Sequence, residues 1–192
     1  MNNASKNPSR NASNESNTSN NAGNNASNNT SNNTDNNASG NVNNYIGIGA
    51  DHAGYLYKEQ LKEWLKGLGF YVRDFGFYSE ESKRDYSFVE DLAQALNSGE
   101  ISRGICICGT GIAVCMCANK IKGIRAALCN DIFTARKSRQ HNDANVLTFG
   151  SRVIGLELAM EIVKVWLETD FEGERHAERK KYIDYLESKY FC

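Results

Sequence analysis

The chain has 192 residues, a formal net charge of −1 and six cysteines. So even a charge balance offers no global attraction to nucleic acid or to an anionic membrane surface. No apolar run is long enough to span a bilayer, and the N-terminus has neither the apolar core of a signal peptide nor an Arg-rich transit pattern. A cytoplasmic setting with reduced thiols is therefore expected.

Residues 1–44 are almost wholly Asn, Ser, Ala and Thr, with no aromatic residue. Such a segment cannot bury enough apolar surface to offset the entropy of ordering its backbone, so it reads as a disordered, low-complexity tail. Its Asn-x-Ser/Thr triplets follow from composition. From Tyr45 the composition becomes globular. Roughly 150 residues remain, enough for one core, and the folded domain is expected to span 45–192.

Tyr45 to Ala50 is a short apolar run that opens into Asp51-His52 and then Gly54, a buried strand leading to a loop. Leu56, Leu61, Trp64, Leu65 and Leu68 recur at helical spacing between charged residues, and Gly67 and Gly69 stop that helix. Phe70-Tyr71-Val72 predicts a second strand. A polar stretch from Ser79 to Asp85 precedes a helix carrying Phe88, Leu92, Ala95 and Leu96. Gly104 to Cys108 predicts a third strand, followed by a Gly-rich turn and a helix through Asn119. Ile124 to Cys129 predicts a fourth strand, with Asn130 or Asp131 able to cap the next helix. Val146 to Gly150 predicts a fifth strand, Leu156 to Trp166 a helix, and Glu174 to Tyr190 a last, charged helix.

Five alternations of strand and helix, with strands apolar throughout, mark a parallel sheet covered on both faces. The fold class is thus α/β: a Rossmann-like three-layer αβα sandwich with a five-stranded parallel sheet and a C-terminal helix. Ligands in such sheets bind beyond the carboxyl ends of the strands. Asp51, His52, Cys108, Thr110, Ser151 and Arg152 fall at those ends, while His141 and Asn142 read as part of the loop just before the fifth strand.

The turn Cys108-Gly109-Thr110-Gly111-Ile112-Ala113 can bring backbone amides to an anionic oxygen, and the positive end of the following helix favours a reactive thiolate. The alternative is a tight turn after a buried cysteine. A cysteine phosphatase needs an arginine six positions on, where Val114 stands, and no Lys-Ser/Thr pair follows to make a nucleotide cradle. Cys106 and Cys108 face one side of a strand, whereas Cys115 and Cys117 diverge on a helix. A single residue between paired cysteines is too few for zinc, so no metal and no cofactor are expected. His52, His141 and His176 all have charged or amide neighbours. Arg175 and Arg179 lie four apart on one helix face, which suits either a phosphate dianion or a solvated surface.

Taken together, Ile48-Gly49-Ala50-Asp51-His52-Ala53-Gly54, Ile107-Cys108-Gly109-Thr110-Gly111, Ala118-Asn119-Lys120, Gly123-Ile124-Arg125-Ala126, Ser138-Arg139-Gln140-His141-Asn142-Asp143, Asn145-Val146-Leu147, Phe149-Gly150-Ser151-Arg152-Val153 and Gly173 to Arg179 resemble type B ribose-5-phosphate isomerase. That wider group includes galactose-6-phosphate isomerase subunits. The resemblance covers residues 45 to 180, in order and with matching spacing; the tail lies outside it.

The resemblance implies a metal-independent aldose–ketose isomerase acting through an enediolate, with a sugar phosphate as its partner molecule. It implies that Cys108 moves the proton between C1 and C2, and that Thr110 with the amides of Gly109, Gly111, Ile112 and Ala113 stabilises the enediolate oxygen. His141 would assist ring opening and Asp51 would hold a sugar hydroxyl or the ring oxygen. Arg175 and Arg179, with His52 and Arg152, would bind the phosphate, and Asn142 and Tyr86 would line the sugar site. It also implies a homodimer whose sites draw residues from both subunits. Val114 stands where another branch of the family has a glutamate base, so the chain resembles the cysteine type. Ala113 and Ser87 stand where the family usually has glycine and proline. Hexose-phosphate isomerisation and a silent sugar-phosphate-binding protein are the other readings.

Overall fold

The computed structural model describes residues 44–81 and 85–191. The expected tail lies outside them except for Asn44. The elements are β1 (Tyr45–Ala50), α1 (Tyr55–Gly67), β2 (Tyr71–Asp74), α2 (Ser87–Asn97), β3 (Arg103–Cys108), α3 (Ile112–Ala118), β4 (Ala126–Leu128), α4 (Ile132–Asn142), β5 (Val146–Gly150), α5 (Leu156–Glu168) and α6 (Glu174–Tyr190). The strands form one parallel sheet in the order β2-β1-β3-β5-β4.

Side chains alternate across the central strands and feed two cores. Ile46, Ile48, Ile105, Ile107, Leu147 and Phe149 pack on one face against α1, α4 and α5, with Trp166 fully buried among them. Cys106 and Cys108 face the other side with α2 and α3, as their spacing predicts. On that side β1 carries Gly49, where an added Cβ would lie 2.5 Å from the Phe88 ring. The missing side chain lets α2 approach the sheet closely.

The edges depart from the apolar pattern. β2 runs to Arg73 and Asp74 rather than ending at Val72, and β4 is confined to Ala126–Leu128. An edge strand is covered less completely than a central one, so polar residues are tolerated there. Asp74 uses this position to accept from Lys58 at 2.7 Å and also from Lys62. Burial alone would raise the Asp74 pKa, but these two ammonium groups outweigh it and hold the carboxyl below its ordinary value.

The reading of His141 and Asn142 as loop residues needs correcting: they are the last two residues of α4. Nothing in Ser138 to Asn142 breaks a helix, and α4 stops only where Asp143 turns left-handed (φ 48°). At its start, Asp131 accepts from the Thr134 amide at 2.7 Å and serves as the cap.

Candidate active site

β1 leads left to β2, and the chain then crosses over β1 to reach β3. The β1/β3 crevice is therefore the point where strand order reverses, and there the carboxyl ends leave room for a ligand. Ala50 and Ile107 pair at this end, so Asp51 and Cys108 leave adjacent strands side by side.

The Asp51 carboxylate is buried and accepts from the amides of Ala53 (2.9 Å) and Gly54 (3.1 Å), which closes the turn into α1. Gly54 is required: an added Cβ would sit 2.8 Å from the Ile107 carbonyl oxygen. His52 is half-buried and its Nδ1 is buried with no partner among the described residues.

Cys108 is 3% exposed, and its Sγ accepts from the Gly111 amide at 3.0 Å. Gly111 makes this possible by adopting φ +77°, and a Cβ there would meet Leu128 at 2.5 Å and the Phe149 backbone at 2.6 Å. Only glycine fits such a position. Thr110 is exposed, and its Oγ1 accepts from the Ile112 amide at 3.3 Å, which leaves the hydroxyl proton free to donate. Ile112 is exposed, Ala113 half-buried, and Val114 packs into the core.

The β5 end clasps this loop. Ser151 donates its amide to the Cys108 carbonyl (2.9 Å) and its hydroxyl to the Ala53 carbonyl (2.7 Å), tying three strand ends together. The Arg152 amide donates to the Gly109 carbonyl at 3.1 Å, and its side chain lies alongside Gly109. Tyr86 caps α2. Burial first, then the nearby Cys108 and Asp51, hold its hydroxyl above the ordinary pKa. Burial holds Cys106 well above the ordinary thiol range and pushes Cys129 up to about 11, so both stay protonated at neutral pH.

His141, Asn142, Arg175 and Arg179 are not brought to this loop. α4 starts beyond the carboxyl end of β4 and ends beside the amino end of β5, where Asp143 binds Arg125 and Asn145 donates to the Arg125 carbonyl. Cys108 instead pairs with Gly150 at the opposite end of β5. Five residues of strand separate the ends, on the order of 13 Å.

At the amino end His141 lies on His176, with ring centroids 4.0 Å apart and planes 8° from parallel. His176 is 2% exposed, although its neighbours in the sequence are charged. Its Nε2 accepts from Arg175 Nε at 3.2 Å and lies 3.4 Å from Glu172, which is 3.7 Å from His141 Nε2. Burial first, then His141, Arg175 and Arg179, keep the His176 pKa below its ordinary value. Arg175, Arg179 and Asn142 are exposed. Sequence reasoning left His176, Glu172 and Asp143 out of the site; the i,i+4 spacing of Glu172 and His176 was the one available signal.

Residues 46–183 match the family model described as Ribose/Galactose Isomerase. The chain belongs to the ribose/galactose isomerase family. This is a family of sugar-phosphate isomerases. "Ribose-5-phosphate isomerase B" of Escherichia coli (strain K12) is 45% identical over 145 residues, 75% of this chain and 97% of that one. "D-erythrulose-4-phosphate isomerase" of Pectobacterium atrosepticum is 42% identical over 143 residues, 74% of this chain and 94% of that one. A solved structure of Clostridium thermocellum Ribose-5-Phosphate Isomerase B superposes with a TM-score of 0.74 at 50% identity, covering 76% of this chain and 99% of that one. Among the described residues no helix is long and apolar enough to cross a membrane.

Proposed function

We propose that this isomerase interconverts ribose 5-phosphate and ribulose 5-phosphate, with Cys108 as the base. The observation that carries the reading is Cys108 Sγ at the carboxyl end of β3, facing an amide donor and next to the Asp51 turn. Cys108 removes the C2 proton of the open-chain aldose and the electron pair moves into an enediolate. The same proton returns to C1 while a hydroxyl proton passes from O2 to O1, which yields the ketose. Loop amides from Gly109 to Ala113, with the Thr110 hydroxyl, stabilise the oxygen that carries charge in the transition state. Asp51 holds the sugar, and His52 and Arg152 approach the phosphate. Tyr86 bounds the pocket together with Asn142, which lies at the far end of the sheet in one protomer and so comes from a second copy of the chain.

His141 opens the furanose by moving a proton between the O1 hydroxyl and the ring oxygen, and Arg175 with Arg179 binds the phosphate. These groups lie at the far end of the sheet from Cys108 in one protomer, so each site takes them from a second copy of the chain. Exposed Ile112 and Met116 on α3, the helix that follows the Cys108 loop, support a covered surface there. The reading as a homodimer with shared sites follows.

Relatives named for four-carbon and five-carbon substrates make chain length the open variable. The test compares kcat/KM for ribose 5-phosphate, erythrulose 4-phosphate and galactose 6-phosphate in the presence of a chelator. Ribose 5-phosphate is expected to lead by at least about tenfold, the worth of one well-fitted group. A faster four- or six-carbon substrate overturns the pentose assignment. A requirement for added metal overturns the proton-transfer mechanism.

A further inference from the structure

The amino-end cluster has a donor set that proton transfer alone does not require. His141, Glu172 and His176 hold their ligand-capable atoms within 4.8 Å of one another. Two imidazoles and one carboxylate form the three-ligand set of many zinc sites, and late transition ions favour it over the all-oxygen sets of magnesium and calcium.

The fold anchors the three ligands from two directions. His141 is the penultimate residue of α4, whose terminus is fixed by the bond between Arg139 and Asp143 at 3.0 Å. Glu172 is joined to that terminus through its amide, which donates to the Gln140 carbonyl at 3.0 Å. His176 sits in the first turn of α6, its amide bonded to the Gly173 carbonyl at 2.8 Å. Because His176 Nε2 accepts from Arg175, its lone pair is on Nε2 and its proton on Nδ1. That is the tautomer a metal at Nε2 needs. Nδ1 is buried and has no hydrogen-bond partner among the described residues, so no other bond dictates the ring's pose.

Two features limit the affinity. A metal-bound imidazole is normally backed by an acceptor on its other nitrogen, and the lack of one costs roughly 10–100-fold. Arg175 and Arg179 also oppose an incoming cation, although both are exposed and able to swing away. A lone pair lies in its ring plane, so parallel rings must tilt to share an ion; His141, only partly buried, has the room.

We propose that His141, Glu172 and His176 bind a divalent late transition metal ion, typically Zn2+, and that occupation inhibits the isomerase by engaging the His141 lone pair. The binding stands on the geometry alone; the inhibition rests on the ring-opening role given to His141 above.

The test uses the full chain, stripped with a chelator and titrated with CoCl2 and then ZnCl2. One equivalent of Co2+ per chain is expected, with visible ligand-field bands and no thiolate charge-transfer band. The free cysteines make that spectral control necessary. Zn2+ displaces the Co2+. Glu172→Gln changes a partly exposed side chain and His176→Gln a buried one, and each is expected to weaken Co2+ binding at least tenfold with an unchanged far-ultraviolet spectrum. No binding, a thiolate band, or unchanged affinity in Glu172→Gln overturns the site. Saturating Zn2+ is expected to lower turnover at least tenfold, with recovery on adding chelator. Zn2+ bound at these residues with turnover intact leaves the site standing, overturns the inhibition, and counts against the role of His141 in catalysis.

Discussion

The backbone amide of Gly111 donates to the sulfur of Cys108 across 3.0 Å, and this contact depends on the left-handed conformation of Gly111. A side chain there meets two penalties at once. The positive φ costs about 1–2 kcal/mol, and the collisions with Leu128 and Phe149 add about 1–3 kcal/mol of overpacking. Gly111→Ala is therefore expected to lose about 2–5 kcal/mol of unfolding free energy, together with most activity. Denaturant titration checks the first and initial rates the second.

Asp143 fixes the end of α4 by bridging Arg125 (2.9 Å) and Arg139 (3.0 Å) while holding a positive φ. Asp143→Ala leaves both guanidinium groups short of a partner and is expected to cost about 1–3 kcal/mol. It also loosens His141 two residues earlier, so kcat falls with it. Asp143→Asn tolerates the left-handed backbone and keeps part of the hydrogen bonding, and is expected to fall between wild type and alanine. Equal losses in the two variants would contradict this account of the helix end.

His176 gives the stability a pH dependence of defined sign. Its folded pKa lies below the ordinary value of 6.5, so the folded chain resists protonation that the unfolded chain accepts. Above about pH 6.5 both states are neutral at this residue and no penalty applies. As pH falls through that value the unfolded state gains the proton first, and stability drops. His176→Phe keeps a ring against His141 and cannot titrate. The wild type should lose stability more steeply than this variant between pH 7 and 5; parallel profiles would place the effect elsewhere.

If each site is shared, two inactive chains can rescue one another. Cys108→Ala and His141→Ala homodimers should both be nearly inactive, whereas random reassortment of an equal mixture restores about a quarter of wild-type activity, one intact site in half of the dimers. No recovery after verified subunit exchange would place the whole site within one protomer.

Deleting residues 1–44 tests the domain assignment. Activity within about twofold of the full chain, and a midpoint shift below about 2 °C, are expected if those residues add no folding free energy. A collapse in either would make them part of the fold.

The loop after β3 was legible in the sequence because two local signals coincide there: an apolar run that ends at Cys108, and glycines whose backbone has to turn. Asp51 was legible for the same reason at the end of β1. The position of His141 was not, because a polar helix terminus and a loop read alike until the left-handed turn of Asp143 separates them. The stacking of His176 on the ring of His141, 35 residues earlier, is a tertiary contact that no periodicity records. The polar edge of β2 was missed because the pairing of Asp74 with Lys58 is likewise a tertiary event.

The central claim is that Cys108 carries the proton. The most direct measurement is ribulose 5-phosphate formation by wild type and Cys108→Ala, with chelator present. A group that acts as general base contributes roughly 10²–10⁴-fold, and a group that acts mainly in the transition state changes kcat far more than KM. The account predicts a loss of kcat in that range or beyond for Cys108→Ala with KM nearly unchanged. Turnover close to wild type in that variant would contradict it.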